Sequence, residues 1–117
     1  MVNWENVRHF EPDEFSDPDQ MEGKLIHRLD SIRDMIGEPI YISSSFRPGD
    51  PRAHGKGWAV DITDDEKHNG ITGRFGWLVV NAALKVGITR IGVYDKHIHL
   101  DCDPDLPPEV IWGGHSE

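Results

Sequence analysis

RPGDPRAHGKGWAVD, residues 47–61, is the stretch around which this sequence is organised, together with HIHLD at residues 97–101. Within the first stretch, His54 and Asp61 stand seven positions apart. A glycine-containing turn and the apolar run WAV lie between them, and that run predicts a short buried strand. A histidine from a loop and an aspartate from a strand can therefore converge on one point.

The second stretch alternates polar and apolar residues, which is the pattern of a β-strand with one buried face. Such a strand places His97, His99 and Asp101 on one face, and Ile98 and Leu100 on the other. We expect the residues of the first face to form the functional site and those of the second face to join the hydrophobic core.

Two imidazoles and one carboxylate form a ligand set that zinc accepts at catalytic sites, where a fourth position is left to water or substrate. We therefore predict a Zn²⁺ site made by His54, Asp61 and His99. Arg47, just upstream, fits two interpretations. It is either an ordinary surface residue or a guanidinium that holds a substrate carboxylate or a developing oxyanion.

Length and composition limit the class of protein. A chain of 117 residues suffices for one domain with one modest core, so residues 1–117 are predicted to form a single domain. The net charge is −9 and no Lys or Arg stripe is present, so we expect no nucleic-acid partner. The single cysteine, Cys102, excludes an internal disulfide. Because it follows Asp101 it has two interpretations, a role near the metal and an ordinary, partly buried residue, and we expect the second.

Neither an export signal nor a membrane segment is evident. The first residues lack a basic segment followed by an apolar one, and no apolar run approaches the length needed to cross a bilayer. We expect a soluble chain, made without its own signal peptide, that has no membrane partner.

Two helices are predicted. The first runs from about residue 18 to residue 36, because Asp17, Pro18 and Gln20 form a capping box and Gly37 supplies a stop. The second runs from about residue 71 or 72 to residue 86 and ends at Gly87. Both carry apolar stripes suited to packing on a sheet.

Strands are predicted at residues 40–43, 58–60, 88–94 and 97–101, with a tight turn at Asp95-Lys96. This hairpin is expected to bring His99 to the centre of the sheet. Residues 104–117 are predicted to be a loop in which Ile111-Trp112 is the anchor and His115 is terminal and mobile. The fold class is therefore α+β, an antiparallel sheet with two main helices packed on it.

The order of these features resembles the zinc D-Ala-D-Ala carboxypeptidase and murein endopeptidase family, peptidase family M15, in its small single-domain branch common in phage and prophage genomes. The segments that carry the resemblance are FEPDEF at residues 10–15, ISSSFR at 42–47, HGKGWAVD at 54–61 and IHLD at 98–101. They span nearly the whole chain. The resemblance implies a hedgehog-like or DD-peptidase-like fold.

It also implies roles for single residues. His54, Asp61 and His99 would bind zinc, Arg47 would contact the substrate or the oxyanion, and Asp101 would orient an imidazole from behind the ligands.

One position departs from the family pattern. Many members carry Glu or Asp three residues before the last ligand histidine, as the general base, and here Lys96 stands there. A lysine serves only if its pKa is lowered by several units. Asp95 reaches the site if the turn is bulged, and His97 lies on the ligand face, so both are candidate catalytic residues; the preference is for Asp95.

The resemblance implies a monomeric zinc peptidase that cuts peptidoglycan, either at a terminal D-Ala or within the stem peptide. It would act on the cell wall after release, as a phage lysis protein does. The alternative is a weak or inactive zinc-containing module of the same fold that binds a wall peptide or glycan. Lys96 favours this alternative, and His97 could then be a fourth ligand.

Overall fold

The three-dimensional structure, a computed structural model, describes residues 1–115. It contains two α-helices, α1 at Gly23–Ile36 and α2 at Gly73–Val86. Five strands form one sheet: β1 at Tyr41–Ser44, β2 at Ala59–Thr63, β3 at Arg90–Tyr94, β4 at Ile98–Asp101 and β5 at Val110–Gly114. Over the part of the chain described, no helix has the length and apolar character needed to cross a membrane.

The strand order is β1-β2-β4-β3-β5, so β4 occupies the centre of the sheet, as predicted. Every neighbouring pair is antiparallel except β3 and β5, which run parallel. The α+β class is therefore confirmed, with a mostly antiparallel sheet in place of the fully antiparallel one expected.

The core lies on one face of the central strands. Alternate residues of β2 and β4 lose all contact with solvent and join one buried cluster with residues of both helices. Each fully buried Ile or Leu contributes about 1.5–3 kcal/mol relative to an exposed one. The strand residues of this face are Val60, Ile62, Ile98 and Leu100.

The first helix begins later than predicted. Asp17 has a left-handed φ of 49° and makes no side-chain cap, and residues Pro18–Gln20 form only a 3-10 turn. The N–H of Glu22 donates to Gly57 O at 3.0 Å, so this backbone group is bonded to a distant loop, not to a turn of helix. The local capping signal is overridden by a tertiary contact.

The helix stops and the second helix start are confirmed. Gly37 and Gly87 both have positive φ, 68° and 86°, which glycine adopts without steric cost. Thr72 precedes α2, and its side chain accepts a hydrogen bond from the N–H of Phe75.

The C-terminal segment corrects a prediction. Residues Val110–Gly114 form β5, where a loop was expected. Trp112 is partly buried and anchors the strand, whereas Ile111 is exposed and does not. His115 is exposed, and residues 116–117 of the predicted loop lie outside the described residues.

Candidate metal centre

A row of four residues crosses the sheet on the face opposite the core. Asp61 of β2 pairs with His99 of β4, His99 pairs with Gly92 of β3, and Gly92 pairs with Trp112 of β5. Directly opposed residues project to the same side of a sheet. The predicted ligands Asp61 and His99 are therefore neighbours by register.

The third predicted ligand, His54, comes from the 3-10 turn Ala53–Lys56 that precedes β2. Its carbonyl accepts from the N–H of Arg47 at 3.0 Å, which closes the loop. A Cβ at Gly55 would overlap the backbone of Asp50, so glycine is required there. Lys56 fastens the turn to the segment after β4, with Nζ 2.7 Å from Asp103 Oδ2.

The three predicted ligands converge. Oδ1 of Asp61 lies 3.3 Å from Nε2 of His54 and 3.0 Å from Nδ1 of His99. One ligand atom from each residue falls within 4.8 Å of the others. This group can hold a metal ion.

The outer nitrogen of each imidazole has its own partner. Nδ1 of His54 lies 2.7 Å from the carbonyl of Ser45, and a carbonyl only accepts, so this nitrogen carries the proton. Nε2 of His99 lies 2.6 Å from Oδ2 of Asp101 and donates to it. Asp101 is thus placed to orient His99, where the resemblance put it.

These partners make the donor set fit a cation. With its outer nitrogen protonated, a neutral imidazole presents a lone pair from its inner nitrogen. Both inner nitrogens of His54 and His99 face the same carboxylate oxygen of Asp61. Lone pairs directed at a carboxylate repel unless a proton or a metal ion lies between them, and one metal ion satisfies all three groups.

The pKa shifts of Asp61 and His99 both favour the charged form of the side chain. Burial raises the pKa of Asp61, but hydrogen bonds from His54 and His99 outweigh it and hold that pKa well below its usual range. Burial lowers the pKa of His99, but hydrogen bonds to Asp101 and Asp61 outweigh it and leave that pKa raised. The carboxylate is ionised, and without metal His99 holds a proton more tightly than an ordinary histidine.

Arg47 lies on the ligand carboxylate. Its Nη2 donates to Oδ2 of Asp61 at 2.8 Å and its Nε donates to Oγ of Ser44 at 2.8 Å. Its Nη1 lies 3.7 Å from Oδ2 of Asp50. The guanidinium therefore supports Oδ2 of Asp61, the oxygen that does not contact His54 or His99.

Arg90 was not identified from the sequence. It pairs with Asp101 across β3 and β4, and its Nε lies 3.1 Å from Oδ1 of Asp101. Its Nη1 donates to the carbonyl of Pro107 at 2.7 Å. The alternation of β3 could have placed Arg90 on the ligand face, but its partner becomes visible only once the register is known.

The two candidate bases occupy different places. Nε2 of His97 lies 4.0 Å from Oδ2 of Asp61, and the His97 ring stacks on Tyr94 at 4.4 Å between centroids. Burial lowers the pKa of His97. Asp95 lies at the hairpin end, half-exposed, with Oδ2 4.0 Å from Nδ1 of His115, and it lines a separate depression over α2. Lys96 is exposed.

The site opens into a cleft of about 780 Å³. Its wall is built by Trp112, which lies 5.5 Å from the His99 ring between centroids and donates from Nε1 to the Tyr94 hydroxyl at 2.7 Å. A Cβ at Gly92 would lie 2.7 Å from the Trp112 ring, so the glycine makes room for the indole. Tyr94 and Trp112 were missed as site residues because the parallel pairing of β5 was missed.

No model of a protein family, no curated protein and no solved structure matches this chain.

Proposed function

We propose that this protein is a zinc-dependent peptidase that hydrolyses a peptide bond of bacterial peptidoglycan, at a terminal D-Ala-D-Ala or within the stem peptide. One observation carries the proposal. Two imidazole nitrogens and one carboxylate oxygen converge at the floor of an open cleft, and the other nitrogen of each imidazole is held by a hydrogen bond. The resemblance of the motifs supplies the substrate class.

The donor set suits zinc. His54, Asp61 and His99 supply two nitrogens and one oxygen, and a site with three protein ligands leaves a position open for chemistry. When bound, zinc supplies a Lewis acid that polarises a carbonyl and lowers the pKa of water to about 7.

The chain itself holds and orients the ligands. Asp101 accepts from His99 and is in turn paired with Arg90, so the His99 ring is fixed through two successive contacts. Arg47 binds the outer oxygen of Asp61 and leaves the inner one to face the imidazoles. The carbonyl of Ser45 accepts from Nδ1 of His54. Together these contacts hold all three donors in place before metal or substrate arrives.

We assign proton transfer to His97. Its pKa is lowered by burial, so at neutral pH the imidazole is uncharged and can accept a proton from the attacking water. His97 lines the cleft, whereas Asp95 lines the depression over α2, and on this observation we reverse the sequence-based preference for Asp95.

The test is cleavage of wall substrates by zinc-loaded protein. Purified peptidoglycan and a stem peptide ending in D-Ala-D-Ala would be incubated with the wild type, His97→Ala, Asp95→Ala and the ligand variant His99→Ala, and the products identified by mass. We expect cleavage by the wild type and by Asp95→Ala, and a rate lower by about a hundredfold or more in His97→Ala. Cleavage by His99→Ala at the wild-type rate would contradict the proposal.

The second candidate is a zinc-containing module that binds a wall peptide or glycan without cutting it. The exposed Lys96, at the position where the family carries its acid, favours this candidate. Tight binding of zinc and of a stem peptide, with no product from any wall substrate, would select it.

A further inference from the structure

Three arginines line the cleft, and two of them are engaged within the protein. Arg47 is bound to Asp61 and Ser44. Arg90 is bound to Asp101 and to the carbonyl of Pro107. Both guanidinium groups are therefore used to hold the site together.

The third arginine, Arg52, stands at the rim with its side chain exposed. Its backbone is fixed, because its N–H donates to Oδ1 of Asp50 at 2.7 Å and the next residue, Ala53, is buried. Pro51, which precedes it, restricts the chain further. Within residues 1–115 the Arg52 guanidinium makes no hydrogen bond or ion pair.

The charges of the cleft leave this cation available to a ligand. The acidic side chains that line the cleft face cations: Asp61 and Asp50 face Arg47, and Asp101 faces Arg90. A guanidinium presents a planar fork of donors that matches a carboxylate in two parallel hydrogen bonds. An unengaged arginine in the cleft lining is therefore suited to an anionic ligand.

We propose that Arg52 binds a carboxylate of the peptide substrate and so determines specificity for acidic peptides. The inference rests on the proposed function and deepens it. It moves substrate recognition from Arg47, where the resemblance put it, to a residue that no motif marks. Arg47 becomes a positioning residue that acts through Asp61.

The test measures binding apart from turnover. The dissociation constants of three stem peptides would be determined by calorimetry on zinc-loaded protein that carries His97→Ala to slow cleavage: one with a free C-terminal acid, its C-terminal amide, and one whose internal acidic residue is replaced by its amide. The proteins compared in this background are the wild type at positions 33 and 52, Arg52→Gln, Arg52→Lys and the matched control Arg33→Gln on α1.

We expect the wild type and Arg33→Gln to bind the peptide with both carboxylates at least about fivefold more tightly than one of the two amide peptides. The peptide that loses affinity shows whether the terminal or the internal carboxylate is bound. Arg52→Gln should erase the preference with zinc content unchanged, and Arg52→Lys should restore part of it. An unchanged preference in Arg52→Gln, or no binding of any peptide by the wild type, would overturn the proposal.

Arg47→Gln separates the two arginines. We expect it to lower zinc affinity and to retain the acid preference at saturating zinc, because its guanidinium lies on Asp61. Loss of the preference in Arg47→Gln with zinc still bound would overturn the assignment to Arg52. If Arg52→Gln erases the preference while no protein cuts any peptide, the carboxylate site stands and the peptidase proposal fails. If cleavage occurs and Arg52→Gln keeps the preference, the peptidase proposal stands and the carboxylate site at Arg52 fails.

Discussion

The two faces of strand β4 are both buried, but by different kinds of contact. Ile98 and Leu100 are completely buried in the core beneath the helices. His99 and Asp101 alternate with them and are nearly as inaccessible, with side chains 14% and 2% exposed. Ile98 and Leu100 are buried by apolar packing. His99 and Asp101 are buried among hydrogen bonds and ion pairs.

The difference shows how a small sheet can combine stability with chemistry. An apolar face gains free energy from every buried group and tolerates substitutions that conserve volume. A buried polar face is tolerated only where each group has a partner, because an unpaired one costs about 1–3 kcal/mol. Substitutions on the core face should therefore mainly lower the free energy of unfolding, and substitutions of the polar groups on the other face should mainly lower the affinity for a metal ion.

The largest effect on stability is expected from Leu100→Ala on the core face. Removing this fully buried side chain should lower the free energy of unfolding by about 2–5 kcal/mol. The matched control Leu84→Ala, at an exposed leucine of α2, should change it by less than about 0.5 kcal/mol. Urea unfolding of the metal-free proteins, followed by circular dichroism, measures both. Equal losses in the two variants would contradict the burial of this face.

Gly92→Ala tests the packing of Trp112 on the sheet face that carries His99. The new methyl group would lie 2.7 Å from the Trp112 ring, so the indole must move, and we expect a loss of about 1–3 kcal/mol in urea unfolding. Gly76→Ala on α2 is the matched control. Apart from its chain neighbours and the backbone of its own helix, no heavy atom of residues 1–115 lies within 4 Å of the added carbon, and alanine favours a helix by up to about 1 kcal/mol. A stable Gly92→Ala protein would show that Trp112 does not pack on this glycine.

Asp101→Asn should weaken metal binding while leaving the ligands intact. The amide cannot replace the charge that holds Nε2 of His99, and we expect zinc affinity to fall about ten- to a hundredfold. Asp105→Asn, at a carboxylate 77% exposed, is the control and should bind zinc like the wild type. Competition with a chromophoric chelator measures the affinities. An unchanged affinity in Asp101→Asn would remove Asp101 from the site.

The smallest effect is expected from a change of pH, which should alter both the stability of the metal-free protein and its affinity for zinc. The raised pKa of His99 means that its contribution to metal-free stability is complete below the unfolded pKa of about 6.5 and is lost as pH rises through the folded value. Zinc competes with the same proton, so its affinity should rise by up to about tenfold per pH unit across that range. Calorimetry in buffers of different ionisation enthalpy should show proton release on zinc binding, and affinity independent of pH would contradict it.

Local signals made much of this architecture predictable. The alternation of residues 97–101 predicted both faces of β4, and Gly37 and Gly87 marked the ends of the helices. His54 and Asp61 could be placed together because a short turn and a short strand leave few other arrangements. The convergence of His99 with them followed from its expected place in the sheet centre.

The remaining features depend on contacts between distant segments. The capping box at Asp17 was a sound local signal, but Glu22 is bonded to Gly57 and the helix starts after it. β5 is five residues long with two glycines and pairs in parallel, a register that no local pattern carries. The partners of Arg47 and Arg90 follow from that tertiary arrangement.

The most direct test of the predicted metal site is the zinc content of folded protein after equilibrium dialysis. The wild type would be compared with His54→Ala, Asp61→Asn, His99→Ala and the control His27→Ala, a half-buried histidine of α1. We expect a single zinc ion per chain in the wild type and in His27→Ala, and none in the three ligand variants. Zinc retained by His99→Ala, or absent from the wild type, would contradict the metal centre and the function proposed for it.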